Sequence, residues 1–278
     1  MRKRKTLQEL TIKDNFMFSA VMIDEENCRR LLELVLRIPI ANVTVSKEKS
    51  MIYNPQFHGV RLDVYAKDKA NTHYNVEMQV RREHVEKRSR YYHSQMDMEL
   101  LLSGSSYEDL PDTYVIFICD YDPFGLGKYQ YTVKKSFEET QESSYSDGIH
   151  SIFLSTEGTN RDEVPQELVK FLKFVKSDLA ESNSDFQDDF VSHLQKTVAQ
   201  IKSSRELGAK YMLFEELLKE ERAEGQMDGL IFILKTRFSA GEDFLDRVRS
   251  YEKKEKLDEL FLTAIQAETL QEFEEKLK

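Results

Sequence analysis

The stretch GVRLDVYAKDKANTHYNVEMQVR, residues 59 to 81, decides the fold predicted for this chain. Apolar residues alternate with polar ones in both of its halves, and a period of two is the pattern of β-strands. The apolar positions are Val60, Leu62, Val64, Val76, Met78 and Val80. The polar segment between the halves, Lys67 to Thr72, is typical of a turn. The sequence therefore predicts a hairpin whose strands each have one apolar and one polar face.

Three polar side chains are expected to meet on the polar face of this hairpin. Asp63 lies in the first strand, and Glu77 and Gln79 lie in the second. Facing positions of paired strands lie on the same side of a sheet, so these side chains converge if the apolar faces point together into a core. Two neighbouring carboxylates form a hard-oxygen site that suits Mg²⁺, which commonly uses one or two protein carboxylates and keeps several waters.

Composition indicates a folded protein that does not associate with membranes. The chain has 278 residues, of which 40% are hydrophobic, enough for a packed core. Its longest apolar runs, such as residues 31–36 and 115–119, are far too short to cross a bilayer, and no signal-peptide pattern follows the basic N-terminus. We therefore expect a cytoplasmic location. Cys28 and Cys119 are predicted to be core thiols.

The charge pattern bears on nucleic-acid binding. A net charge of −10 argues against indiscriminate binding, because such binding depends on Lys and Arg neutralising phosphates. A local basic site remains compatible with it, since residues 79–93 carry five basic and two acidic residues. A solvated helix face and a phosphate track both explain such a run.

The rest of the chain predicts alternating helices and strands, followed by helices alone. We expect a helix over residues 16–37, interrupted near Asp24, and a strand over 43–53 before the hairpin. After the hairpin we expect a helix over 83–103, a doubly covered strand over 113–119, strands over 129–136 and 149–154, and a helix over 165–176. The polar residues 177–189 indicate a hinge. Predicted helices beyond it cover residues 190–224, 230–238, 244–254 and 257–277.

This order of elements, together with Asp63, Glu77 and Gln79, resembles the PD-(D/E)XK nuclease superfamily, and within it the branch of transposases and recombination-promoting nucleases. The resemblance covers residues 8–180 well and the helical tail loosely. Its motifs are Lys13 to Phe18, Arg61 to Val64, Val76 to Gln79, Tyr91 to Gln95, Gly104, Tyr107 and Asp147 to Gly158. It implies an α/β fold with a restriction-endonuclease-like core of helix, three strands, helix and strand. We expect a nuclease-like domain over residues 1–180 and a helical C-terminal region over residues 181–278.

The resemblance also implies a metal-dependent DNA endonuclease acting in recombination or transposition. Asp63 and Glu77 would bind Mg²⁺, with the backbone carbonyl of Met78 as a further ligand. The ion would activate a water molecule for in-line attack and neutralise charge on the scissile phosphate. A double-strand break is helped by two sites, which favours a homodimer.

Position 79 departs from the superfamily signature, which has lysine where this chain has Gln79. A lysine ammonium can stabilise anionic charge, whereas an amide can only donate and accept hydrogen bonds. We therefore expect Gln79 to hold the attacking water without activating it by charge.

Several other polar residues are candidates for contacts with DNA. Arg61 and Arg81 flank the carboxylates and either contact phosphate or form a cross-strand ion-pair ladder with Asp63 and Glu77, worth about 0.2–1 kcal/mol per pair. The resemblance favours phosphate contact. Further candidates, in the basic run and on the helix after it, are Arg82, Arg88 and Gln95. Arg88, Tyr91, Tyr92 and Gln95 share one helix face, which either supports the site, contacts DNA or belongs to the core.

Three hypotheses remain open at this point. The first is the Mg²⁺-dependent DNA endonuclease, and the second is a catalytically degenerate nuclease fold that serves as a DNA- or protein-binding module. The third is a helical interaction protein without a nucleic-acid role. The acidic net charge fits the third hypothesis, whereas the Asp63 and Glu77 pair fits the first.

Overall fold

The computed structural model of the chain describes residues 5–46, 50–51, 60–140, 145–251 and 257–277. The chain forms two compact units, Met1–Ser204 and Arg205–Lys278. The helices of the first unit are α1 (Asn15–Met22), α2 (Glu25–Leu36), α3 (Val85–Leu100), α4 (Gln166–Lys176) and α5 (Asp189–Ser203). Its strands are β1 (Val43–Ser46), β2 (Ser50–Met51), β3 (Val60–Arg61), β4 (Val64–Asp68), β5 (His73–Gln79), β6 (Thr113–Cys119), β7 (Gln130–Thr132) and β8 (Ile149–Ser155).

A six-stranded mixed sheet forms the centre of the first unit. Its strand order is β1-β4-β5-β6-β8-β7. Strands β4 and β5 pair antiparallel, as the hairpin prediction requires, while β5, β6 and β8 run parallel to one another. A parallel neighbour needs a crossover, and α3 supplies it between β5 and β6. The predicted α/β class and the order of helix, three strands, helix and strand are confirmed.

Helix α3 covers one face of this sheet. Its residues Val85, Tyr92 and Met96 belong to one buried cluster with Val115, Phe117 and Cys119 of β6. Strand β5 lies beside β6, so the β5 residues that face the same side of the sheet as Phe117 and Cys119 are also covered by α3. Every residue of β5 is buried. The predicted hairpin therefore does not present a polar face to solvent. Glu77 and Gln79 lie beneath α3, inside the molecule.

The helix predicted over residues 16–37 is interrupted where the sequence indicated. Helix α1 ends at Met22 and α2 begins at Glu25, with Asp24 as the N-cap residue. The Asp24 carboxylate accepts a hydrogen bond from the backbone N–H of Asn27 at 2.9 Å. Helix α2 then packs against β1 and α4.

Two predicted strands are each divided in the structure. The strand expected over residues 43–53 is divided into β1 and β2, with residues 47–49 and 52–53 outside the described part. The strand expected around Asp63 is divided into β3 and β4, because β3 pairs with β2 in a separate two-stranded sheet. Asp63 therefore lies in the bend between β3 and β4.

The remaining elements of the first unit agree with expectation only in part. Strand β8 and helix α4 form where the sequence predicted them, and β7 covers only part of the strand predicted over residues 129–136. The helix predicted over residues 190–224 is interrupted, since α5 ends at Ser203. Cys28 and Cys119 are buried free thiols, and burial raises the pKa of each to about 12. None of the helices in the described residues combines the length and apolar character that crossing a membrane requires.

The second unit consists of helices. They are α6 (Arg205–Phe238), α7 (Glu242–Arg249), α8 (Leu257–Gln266) and α9 (Leu270–Leu277). The break predicted at Gly225 and Gly229 was wrong, since α6 continues through both. A Cβ atom at Gly229 would lie 3.0 Å from the Phe261 ring, so this glycine allows α8 to approach α6. We expected a domain boundary between residues 180 and 181. This position lies before α5, and α5 packs on α1 and α4. The division into a nuclease-like domain and a helical region stays a prediction.

We predict that Asp24→Ala destabilises the protein by about 1 kcal/mol, because the first turn of α2 loses its side-chain cap. Urea unfolding monitored by circular dichroism measures this change. Glu25→Ala, in the same exposed turn but without the capping bond, serves as the control and should cost less. Equal losses for the two variants would contradict the capping role of Asp24.

His93 links α3 to the sheet from within the core. One ring nitrogen lies 2.9 Å from the Thr113 hydroxyl and the other lies 3.1 Å from the Ser151 hydroxyl. Burial lowers the pKa of His93 to about 4. The folded protein therefore resists protonating this imidazole, whereas the unfolded chain protonates it near pH 6.5.

We predict that this histidine destabilises the fold in acid. Below pH 6.5 the unfolded state binds the proton more readily, so the unfolding free energy falls by about 3 kcal/mol as the pH drops to about 4. His93→Gln should remove that part of the pH dependence, measured by urea unfolding between pH 4 and 7.5. His84→Gln, at an exposed position before α3, should retain it. A His93→Gln profile with the wild-type slope would refute the assignment.

Candidate active site

Asp63 and Glu77 meet at the point where β4 begins. The ladder pairs Val64 with Val76, so the preceding position, Asp63, comes opposite Glu77. The backbone N–H of Asp63 donates to Glu77 Oε1 at 3.2 Å, and the backbone N–H of Met78 donates to Asp63 Oδ2 at 3.0 Å. Each carboxylate is thus held by the main chain of the opposite strand. The structure brings together the two carboxylates that the sequence singled out.

The environment of Glu77 is unfavourable for a negative charge. Glu77 is only 3% exposed, while Asp63 is half-buried. Burial raises the pKa of Glu77 well above its usual range, and the neighbouring Asp63 carboxylate raises it further. The N–H of Asp63 and the Arg88 guanidinium oppose this shift. Two adjacent carboxylates in such surroundings are stabilised by any cation placed between them.

Helix α3 supplies the partners of Glu77. Arg88 Nη2 lies 3.4 Å from Glu77 Oε2 and 2.6 Å from the Tyr92 hydroxyl. The Tyr92 hydroxyl itself lies 3.4 Å from Glu77 Oε2. Burial, together with the Glu77 charge, raises the pKa of Tyr92 to about 12, so its hydroxyl stays protonated and can donate to the carboxylate. Arg88 and Tyr92 are four residues apart and therefore lie on the same helix face.

Gln79 uses both ends of its amide within the protein. Its Oε1 accepts a hydrogen bond from Arg88 Nη1, and its Nε2 donates to the backbone carbonyl of Arg81. A guanidinium can only donate and a carbonyl can only accept, so these partners fix the orientation of the amide. Gln79 is 7% exposed. The structure thus places it as a holder of Arg88, and its role in holding a water molecule stays a prediction.

The other arginines expected at DNA occupy different environments. Arg81 and Arg82 are exposed directly after β5. The Arg82 guanidinium lies over the Tyr121 ring, 5.0 Å from its centroid, and 3.8 Å from Glu157. The side chain of Arg61 lies outside the described part of the structure. The guanidinium that reaches Glu77 belongs to Arg88, which the cross-strand ladder did not include.

Gln95, a candidate for DNA contact, lies in the protein interior, and Asp14, within the motif Lys13 to Phe18, has a role in the fold. Gln95 is 8% exposed on α3, so it would reach DNA only if the helix moved. Asp14 occupies the N-cap position of α1, but its carboxylate does not cap that helix. It accepts instead from the backbone N–H of Thr11 and forms an ion pair with Lys5 at 2.7 Å.

The residues at this site fit a divalent cation with few protein ligands. Asp63 and Glu77 provide carboxylate oxygens, and the neighbouring Met78 provides a backbone carbonyl. Within the described ranges, no group of three or more His, Cys, Asp or Glu side chains is arranged to hold a metal. A pair of carboxylates completed by water and substrate oxygens is the arrangement that Mg²⁺ commonly takes at phosphate-processing sites.

A surface groove lies beside Arg88, the arginine that contacts Glu77. It measures about 1070 Å³ and runs between the start of α3 and the segment after β6. Arg88 lines this groove and also contacts Glu77. The other lining residues are Arg82, Glu83, His84, Glu86, Lys87, Tyr91, Pro123 and Phe124. The lining therefore combines three cationic side chains, two carboxylates and two aromatic rings with a histidine and a proline.

The sequence left open whether the helix face with Arg88 and Tyr92 supports the site, and it did not identify Glu77 as their partner. The available signal was their spacing of four on the helix that follows the Glu77 strand. That helix crosses over to a parallel neighbour, and such a crossover places its first turns near the end of the strand that it leaves. The combination of spacing and crossover would have indicated the contact.

Comparison with known proteins adds one family. The model of the family described as PD-(D/E)XK nuclease family transposase matches residues 13–224, which is more than half of the chain. No curated protein and no solved structure matches the chain. The matched range includes Asp63, Glu77, Gln79 and the whole of α3, and it confirms the resemblance carried by the motifs. The chain therefore belongs to the PD-(D/E)XK nuclease family transposases.

Proposed function

We propose that this chain is a metal-dependent DNA endonuclease that hydrolyses phosphodiester bonds in DNA recombination or transposition. Membership in a family of nucleases and transposases supports both the reaction class and DNA as the substrate. The observation that carries the proposal is that the carboxylates of Asp63 and Glu77 lie side by side. Each accepts a hydrogen bond from a backbone N–H of the opposite segment. Two carboxylates in contact, one of them buried, favour a cation between them, and this supports a metal ion at the site.

The side chains divide the work as follows. Asp63 and Glu77, with the carbonyl of Met78, would hold Mg²⁺. The N–H groups of Asp63 and Met78 fix the direction of the carboxylates. When bound, the ion supplies Lewis-acid stabilisation of phosphate charge and lowers the pKa of water. Tyr92 keeps Glu77 oriented from the helix side.

The exposed arginines at the end of β5 are the proposed contacts to the DNA backbone. Arg81 and Arg82 lie at the mouth of the groove or directly beside it. Contacts of this kind fix the position of the duplex without reading its sequence. Arg61 is assigned the same role from its place in the sequence, next to the Asp63 bend.

A catalytically degenerate nuclease fold that binds DNA or protein is the second candidate. Its supporting observation is Gln79, an uncharged side chain at the position of the signature lysine, whose amide is hydrogen-bonded within the protein. Under this alternative the carboxylates would persist as part of the fold only.

Two further features of organisation belong to the proposal. We assign the nuclease function to residues 1–180 and treat residues 181–278 as a helical region outside the catalytic domain. A homodimer would bring two active sites to one duplex and so permit cleavage of both strands. Sedimentation of the protein with and without DNA measures this association.

We predict that the protein nicks or linearises supercoiled plasmid in Mg²⁺ or Mn²⁺ and that EDTA abolishes the reaction. Asp63→Asn and Glu77→Gln each remove one ligand charge at constant size, and each should lower the rate by on the order of 10²-fold or more. Glu167→Gln on the exposed surface of α4 removes one carboxylate elsewhere and should cleave as the wild type does. Gel electrophoresis of plasmid topoisomers measures the rates.

Two controls separate chemistry from folding and from binding. Thermal melting in EDTA should place both site variants within a few degrees of the wild type, because each removes one of two neighbouring negative charges. Calorimetric titration with Mn²⁺ should show weakened binding in both. A wild type that retards DNA at low salt yet never cleaves it would reject the endonuclease and select the degenerate fold.

A further inference from the structure

The uncharged residue at position 79 raises the question of where the site obtains a positive charge. In the signature of this family a strand lysine can stabilise the anion that develops at phosphate. Gln79 carries no charge, and its amide is committed to Arg88 and to the carbonyl of Arg81. A cation must therefore come from a different element if the reaction is to receive this stabilisation.

Arg88 is placed and oriented for that task. Its Nη1 donates to Gln79 Oε1 and to Glu83 Oε2, the latter at 3.0 Å, and its Nη2 reaches Glu77 and Tyr92. Its guanidinium carbon also lies 5.4 Å from the Tyr92 ring centroid and 5.3 Å from that of Phe117. A planar group held by bonds at its edge and by rings at its face keeps one orientation.

Arg88 is also open to a substrate. Its side chain is 32% exposed, in contrast to the 4% of the Glu77 side chain that it contacts. It lines the surface groove that lies between the start of α3 and the segment after β6. Of the side chains that contact Glu77, Arg88 is thus one that an incoming phosphate can reach from solvent.

We propose that Arg88 supplies from helix α3 the positive charge that the strand lacks at position 79, and that Gln79 holds its guanidinium at the scissile phosphate. The inference rests on the proposed endonuclease function and names a catalytic residue for it. In hydrolysis the water oxygen forms a bond to phosphorus, the P–O ester bond breaks, and the leaving oxygen takes the electron pair and a proton. Both Nη atoms of Arg88 already donate to protein partners, so Arg88 acts on the phosphate through its positive charge and its Nε–H. It keeps all its protons throughout, since arginine does not deprotonate in proteins.

A purely structural role for Arg88 makes a different prediction. If Arg88 only keeps Glu77 in place, its loss disorders the carboxylate, so that metal binding and cleavage fail together. If Arg88 acts on the phosphate, its loss removes a cation from beside the metal site. Metal binding then stays the same or becomes tighter while cleavage fails, because neighbouring positive charges repel.

The test uses the full chain and two matched variants. Arg88→Gln should lower kcat for plasmid cleavage by about 10²-fold, the usual effect of removing one donor to a developing anion. The double variant Arg88→Gln with Gln79→Lys returns a charge to the strand and should recover about tenfold of that loss. Lys173→Gln, which removes one exposed positive charge from α4, should leave kcat within about threefold of the wild type.

Calorimetry with Mn²⁺ alone supplies the second measurement. Arg88→Gln should bind Mn²⁺ at least as tightly as the wild type, and this result together with the lost kcat supports the proposal. Loss of both metal binding and cleavage overturns it in favour of the structural role. Cleavage by Arg88→Gln at the wild-type rate overturns it while the endonuclease function stands. A wild type without cleavage overturns both, and Mn²⁺ binding then shows whether the carboxylates form a metal site at all.

Discussion

The burial of Glu77 beneath a helix, next to a second carboxylate, is the constraint on which this site depends. Asp63 and Glu77 meet where β4 begins, and Glu77 is almost inaccessible to water. An ionised carboxylate in such a place needs hydrogen bonds and positive charge to replace its lost hydration. The main chain supplies part of this through the N–H groups of Asp63 and Met78. Arg88 supplies the charge.

The connection between β5 and β6 explains why α3 can deliver that charge. Parallel strands require a crossover, and the chain leaves β5 just after Gln79. Helix α3 therefore starts close to the end of the strand that carries the carboxylate. Its apolar residues Val85 and Met96 pack over the centre of the sheet, while Arg88 and Tyr92 reach Glu77. Helix α3 thus packs its apolar residues into the core and contributes the hydrogen-bond partners of Glu77.

The sequence predicted the hairpin and the proximity of its two carboxylates. It did not predict that α3 packs over Glu77. Alternation with period two shows which residues share a face of a strand, and it placed Asp63 beside Glu77 correctly. It does not show what packs on that face. The continuous apolar run of β6 indicated cover on both sides, and its parallel pairing with β5 extends that cover to Glu77. That pairing is a long-range contact, which local periodicity does not contain.

Local sequence patterns also failed to predict the role of Arg88 and the continuity of α6, because both depend on long-range packing. The basic run after β5 was visible in the sequence, yet its members differ in the structure. Arg82 is exposed, whereas Arg88 is half-buried and donates hydrogen bonds to Gln79, Glu83 and Tyr92. In α6 the helix continues through Gly229, where local propensity predicts a break. The reason is the close approach of Phe261, a packing gain that offsets the cost of about 1 kcal/mol for a helical glycine.

Gln79 and Arg88 are best understood as one unit. A lysine at position 79 would place a second cation beside Arg88, and two adjacent positive charges repel each other. An amide oxygen at that position instead accepts from the guanidinium and fixes it against Tyr92 and Phe117. The replacement of lysine by glutamine on the strand and the presence of arginine on the helix are therefore physically complementary. In the strand alone, Gln79 lacks the positive charge of the signature lysine. With α3 packed on the strand, its amide oxygen positions the Arg88 guanidinium.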